Sequence, residues 1–422
     1  MKSIVRAAFV ATLLCTAASV VAPVATYAAD TSTPKLTKEV QKNLAAAQTA
    51  LKTNDYATAL ASVQAAQAVS DRSPYDDYMI NTFLAQIYIQ QKDYKNATAP
   101  LEAAADSPAI PDDQKKQTYS NAFQLALNAK DYQKATVYGQ NLQAMNALDA
   151  QMQANLALAF YEIKDTAHAQ QFAQLSIDAD KAAGRTPDEN ALKIVENSQI
   201  AQKDSGAVQT TLENLALNYN HADTWSKLVD LALGTKGIKE LDEFYLLRLK
   251  YQIPESMIPE DYTALANIAN LMGYATEAYN VLQKGISSGK ITAGQAGPTY
   301  AQAKTGAGID QRSLGQIAAS AEKSKTGEQD IKLAEDYWGY GRFADAEVAA
   351  RRAISKGGMK DPNEGQMLLG MTLAVQGKYD EAVQTLSQVN GSSSRKADAH
   401  LWSLYAQAQK HAQGTTAQAP AH

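Results

Sequence analysis

Apolar residues return along this chain three and four positions apart. In the stretch FLAQIYIQQKDYKNATAPLEAAA (83–105) the rhythm runs on both sides of one short polar break. That spacing places the apolar residues on one face of a helix, so the pattern predicts two helices joined by a tight turn. The break itself recurs. KDYKNA starts at Lys92, KDYQKA at Lys130 and GKYDEA at Gly377.

Aligned on the alanine of that phrase, Ala59, Ala97 and Ala135 stand 38 residues apart, followed by Ala169, Ala207, Ala278, Ala346 and Ala382. The two widest gaps each equal about two units, which places weaker units near Leu241 and Ser313. Self-similarity at this period marks a stacked helical-repeat array. About twelve residues before the anchor a second pattern recurs, a large residue beside a small one with another apolar residue three further on. It reads Leu84-Ala85 with Tyr88, Leu156-Ala157 with Phe160, and Leu265-Ala266 with Ala269, then Leu333-Ala334 with Tyr337 and Leu369-Gly370 with Leu373. Small residues there let paired helices approach, and Tyr94, Tyr132 and Tyr379 are expected to fill the gap by the turn. A hairpin of this kind leaves one apolar face open until the next hairpin covers it, so the units must stack.

The stretch MLLGMTLAVQGKYDEAVQTLSQV resembles a tetratricopeptide repeat, with Leu369, Gly370, Tyr379, Ala382, Leu386 and Val389 at its consensus positions. The resemblance implies an all-α fold, a right-handed superhelical solenoid of about ten units over residues 40–395. Units near 40–70, 222–255 and 294–326 are expected to be the least regular. Pro100 is expected to kink its helix, because it removes the bond to Asn96. Residues 396–410 are expected to form a cap helix and 411–422 a disordered tail.

The two ends of the charge and hydropathy pattern change the picture once. A basic start, MKSIVR, precedes the apolar stretch AAFVATLLCTAASVVAPVA, and small residues at Thr26 and Ala28 close it. This is the anatomy of a secretory signal over residues 1–29, followed by a linker, 30–39. Its removal takes away Cys15, the single cysteine, and shifts the net charge from -5 to -7. No disulfide is then expected. A mildly acidic chain without a basic run argues against nucleic acid, and no integral membrane segment is expected after cleavage. The expected location is the bacterial periplasm.

Candidate chemistry is thin. GISSGKIT (285–292) has one residue too few between its glycines for a phosphate loop, and Ile291 where a hydroxyl is needed. Asp178, Asp180 and Glu189 have the spacing of a calcium loop, yet Ala182 and Ala183 replace a ligand and the obligatory glycine. The five histidines form no pair at metal-ligand spacing. The repeats leave no segment for a catalytic domain, so the chain is read as no enzyme, with no cofactor and no metal. What remains is the inner face of the first helices, where exposed positions follow the small residue. Gln86, Gln124, Tyr161, Asn267, Asn270 and Trp338 are the candidate partner-binding residues there. They suit hydrogen bonding to an extended peptide segment of another protein. Ala59, Leu84, Ala85, Tyr94, Ala97, Tyr132, Ala135, Ala169, Ala278, Ala334, Ala346, Gly370, Tyr379 and Ala382 define the repeats.

A narrower resemblance rests on SDRSPYDDYMINTFLAQIYIQQKDY, HADTWSKLVDLAL, EDYWGYGRFADAEVAARRAISKGG, EGQMLLGMTLAVQGKYDEAV and DAHLWSLY. In these phrases the chain resembles periplasmic tetratricopeptide proteins associated with TonB–ExbB–ExbD systems. That implies an accessory role in outer-membrane transport, with TonB, ExbB or ExbD-type components as partners. A scaffold in outer-membrane or peptidoglycan assembly is the alternative, and a solenoid-type cell-wall enzyme the reading from another class.

Overall fold

The computed structural model describes residues 35–417, so the expected signal segment, the start of the linker and the last five residues of the expected tail lie outside it. Among the described residues every regular element is a helix. The helices are α1 (Lys38–Lys52), α2 (Tyr56–Gln67), α3 (Pro74–Gln90), α4 (Tyr94–Ala105), α5 (Asp112–Asn128), α6 (Tyr132–Ala144) and α7 (Ala150–Glu162). They continue as α8 (Thr166–Ala182), α9 (Glu189–Ala201), α10 (Ser205–Tyr219), α11 (Ala222–Leu233), α12 (Glu240–Gln252), α13 (Pro259–Leu271) and α14 (Ala275–Ser287). The last six are α15 (Ala293–Lys323), α16 (Glu328–Gly339), α17 (Phe343–Lys356), α18 (Pro362–Val375), α19 (Tyr379–Leu386) and α20 (Ser393–Ala417). Two compact units divide the chain, one up to Leu125 and one from Ala126.

The recurring phrase builds one kind of turn. Its first residue is left-handed, with φ of 60° at Lys92, 58° at Lys130 and 70° at Lys164, and glycine takes the same role at Gly273, Gly341 and Gly377. The next residue turns its N–H back to the ending helix, as Asp93 does to the Tyr88 carbonyl at 2.8 Å and Lys378 to that of Leu373 at 2.9 Å. This is the 6→1 bond of a Schellman motif, which satisfies a carbonyl the helix end would otherwise orphan. The same residue caps the following helix. Asp55, Asp93, Asp131, Asp165 and Asp204 each accept a backbone N–H three residues on, a bond whose loss costs about 1 kcal/mol. One aspartate therefore closes one helix and opens the next.

The anchor alanine sits four residues after that cap, where its N–H makes the first intrahelical bond, as Ala97 does to Asp93 and Ala278 to Tyr274. Ala59, Ala97, Ala135, Ala169, Ala278, Ala346 and Ala382 all have no exposed surface, because the preceding helix crosses there. Ala207 departs from the series. Asp204 puts Val208 at the fourth position and buries it, while Ala207 is only partly buried. On the partner helices Leu84, Ala85 and Ala334 are buried, and Gly370 lies so close to Leu386 that a Cβ would collide with it. Tyr132 and Tyr379 are partly covered at the turn, but Tyr94 is 37% exposed.

Two expectations fail. No two-helix unit forms over 294–326. The chain kinks at Gly297, with φ 55° and ψ -151° before Pro298, and then runs as one helix to Lys323. The C-terminal helix begins at Ser393 and extends to Ala417, through the first part of the expected tail. Nor is it a simple cap. It packs on α18 and α19, its neighbours in sequence, and also on α10 and α12, more than a hundred residues earlier.

Candidate functional site

The inner positions meet different fates. On α3 and α5 of the first unit, Gln86 is exposed and Gln124 partly buried. In the second unit Tyr161 is partly buried, with the Lys164 ammonium 5.4 Å from its ring centre. Asn267 accepts a bond from the Thr299 hydroxyl at 2.8 Å, and the Asn270 amide meets Gln302 at 3.5 Å, so both are engaged by α15. Trp338 corrects the expectation of an open groove. It is only 5% exposed, and Glu335 one turn before it is fully buried.

What covers them is the chain itself. Helix α12 has seven successive residues, Phe244 to Lys250, of which none is more than 2% exposed. A helix apolar all round is a buried helix, and here its charges are buried with it. The Arg248 guanidinium lies against the Phe244 ring at 3.9 Å and the Trp338 ring at 5.0 Å. It pairs with Glu277 on α14 at 2.5 Å and with Glu335 on α16 at 2.6 Å. Burial opposes its charge, and the two carboxylates outweigh that and raise its pKa. Lys250 pairs with Asp230 at 2.6 Å and Asp261 at 2.8 Å. Each buried charge thus has a partner, the condition under which such burial is tolerated.

Helix α20 completes the closure. Trp402 donates its indole N–H to the Tyr245 carbonyl at 3.0 Å. Arg395 pairs with Asp242 at 2.7 Å and covers the Tyr245 ring at 5.0 Å, while the Ser394 hydroxyl donates to Asp242 at 2.6 Å. The rings of Trp338 and Trp402 meet edge-on at 6.1 Å, and Tyr405 lies edge-on to Trp225 on α11 at 6.0 Å. Carboxyls around this hub are hard to ionise. Burial, with Glu335 and other acids nearby, lifts Asp336 and Glu364 each to about 7, and burial lifts Glu335 as well.

None of the repeat positions marks this hub. The signal was present in EFYLLRLKY (243–251), apolar on every side with isolated charges, inside the unit marked only as weak. Other candidates resolve simply. Lys290 of the phosphate-loop-like run pairs with Glu255, and Ile291 is buried. Asp178 and Asp180 lie on helix α8 and not in a loop, where Asp180 pairs with Arg185 at 2.8 Å. Among the described residues no group of three acidic, histidine or cysteine side chains converges as a metal site, and no helix is long and apolar enough to cross a membrane.

Comparison with known proteins agrees with the hairpin geometry. The tetratricopeptide-repeat family model matches residues 44–113 and 331–394. The comparison with curated proteins brought no match. Among solved structures, a tetratricopeptide repeat protein from Parabacteroides merdae ATCC 43184 is 13% identical, with 70% of this chain and 99% of that one aligned at a TM-score of 0.32. Naa15/Naa10 bound to HypK-THB is 11% identical over 89% of this chain and 73% of that one, with a TM-score of 0.28. The P58(IPK) repeat domain is 13% identical over 90% and 93%, with a TM-score of 0.23. The family model thus supports tetratricopeptide repeats in the two matched stretches, and the successive helix pairs described above make the fold a helical repeat.

Proposed function

We propose that this protein is a non-enzymatic scaffold that binds other proteins through the inner face of its first repeats. One contrast carries the reading. Gln86 on α3 remains exposed to solvent, whereas the equivalent inner positions Glu335 and Trp338 are already filled by α12. Neutral amides such as Gln86 and Gln124 can donate to and accept from an extended backbone. Export to the periplasm follows from the N-terminal signal pattern. Association with a TonB–ExbB–ExbD system is the narrower form of the proposal, supported by the sequence phrases shared with such proteins.

The test is capture after chemical cross-linking in cells, using the full chain and a Gln86→Arg/Gln124→Arg variant. Gln86 is exposed and Gln124 partly buried, so the helical content of the variant is measured beside its capture, and Gln86→Arg alone serves if the double variant loses it. Loss of a defined partner in the variant is the predicted result. Equal capture by both proteins would refute this surface, and TonB, ExbB or ExbD-type proteins in the captured set would support the narrower form.

A further inference from the structure

Asp398 is 1% exposed, and its Oδ2 has no hydrogen-bond partner. It lies where α20 meets α12, facing Asp242 and Arg395. We propose that α20 is a clasp that holds α12 in place, and that protonation of carboxyls under it controls its closure. The geometry assigns the parts. Every long-range polar tie named above, from Ser394, Arg395 and Trp402, joins the N-terminal part of α20 to α12. A carboxylate buried beside Asp242 in the middle of those ties disfavours closure, whereas the neutral acid, which can share its proton with Asp242, does not.

The surrounding charges point the same way. Arg395 is shared between Asp242 and Asp361, the latter at 3.4 Å, and so offers Asp398 only part of its field. Burial first, and Asp242 second, lift Asp398 to about 8. Glu364 on α18, raised by burial and by Glu335, titrates at about 7. From α10, Glu213 faces His400 at 3.2 Å and raises its pKa, a tie that also weakens as pH climbs. On α19, Asp380 pairs with Lys410 at 2.5 Å, where both side chains are mostly exposed. The folded pKa values of Asp398 and Glu364 lie above those of an open, solvated carboxyl. Closure is therefore favoured fully below about pH 4 and is lost progressively as pH rises towards 8, levelling beyond it.

All three tryptophans of the chain, Trp225, Trp338 and Trp402, belong to this contact, so intrinsic fluorescence reads it directly. The experiment follows tryptophan emission and amide protection of α20 in the full-length protein between pH 6 and pH 9. Protection of α20, corrected for intrinsic exchange, is expected to fall by about tenfold or more between pH 6 and pH 8 while α7 and α8 stay protected. Asp398→Asn should shrink that fall, and Asp398→Asn/Glu364→Gln should reduce it further, leaving only the part that follows the Glu213–His400 tie. A wild-type profile that is flat would overturn the proposal. So would variants that follow the wild type, or a loss of protection spread evenly over α7 to α20.

Discussion

Arg248 donates to both oxygens of Glu277, Nε to Oε1 at 2.8 Å and Nη2 to Oε2 at 2.5 Å, in a site from which water is excluded. Removing one member of a buried pair leaves the other uncompensated, at a cost of about 3–5 kcal/mol. Arg248→Met should therefore destabilise the second unit by that amount in denaturant unfolding. An unchanged midpoint would mean that α12 does not sit where Arg248 places it.

Gly370 lies against Leu386 where α18 packs on α19. A Cβ at position 370 must displace the Leu386 side chain, and overpacking of this kind costs about 1–3 kcal/mol. Gly370→Ala should lower the thermal midpoint, and adding Leu386→Ala should recover part of the loss, since the added methyl then has space. If the two changes are additive, the residues are not in contact.

Lys92 takes the left-handed conformation that the turn between α3 and α4 requires, with φ of 60°. An ordinary side chain is strained there by about 1 kcal/mol, which glycine avoids at some cost in chain entropy. Lys92→Gly should raise stability by up to about 0.5 kcal/mol, while Asp93→Ala, which removes the cap on α4, should lower it by about 1 kcal/mol. Thermal unfolding of the two variants checks both signs.

Asp336 carries a folded pKa lifted from 3.8 to about 7 by burial, with Asp310 and Glu335 adding to it. Its contribution is fully present below pH 4 and declines as pH rises to about 7. Asp336→Asn should leave stability at pH 4 nearly unchanged and gain up to about 2 kcal/mol at pH 8, after allowance for solvent screening. A gain that is the same at both pH values would contradict the assignment.

The repeat hairpins were legible because their determinants are local. The left-handed residue, the capping aspartate and the alanine four positions later act within six residues, so a short phrase specifies the turn. Ala207 shows the limit of that reading, since alignment on alanine alone missed that Asp204 shifts the buried position to Val208. Gly297-Pro298 was visible as an irregularity, but the single helix that follows depends on its contacts with α13, α14 and α16. The hub was not legible as a site. Arg395 meets Asp242, and Trp402 meets Tyr245, across more than 150 residues, and no periodicity couples positions so far apart. Trp338 followed the repeat rule for an inner position, and the rule does not say that the chain's own α12 occupies the groove.

Glu335 and Trp338 are covered from within, whereas Gln86 on α3 is exposed, and the proposed binding face rests on that contrast. Site-specific photo-cross-linking in cells compares a benzophenone side chain at position 86 with one at position 405, beside the buried clasp. The account predicts a cross-link to another protein from position 86, and only intramolecular cross-links from position 405, among them one to α11. A partner protein captured from 405, with none from 86, would contradict it.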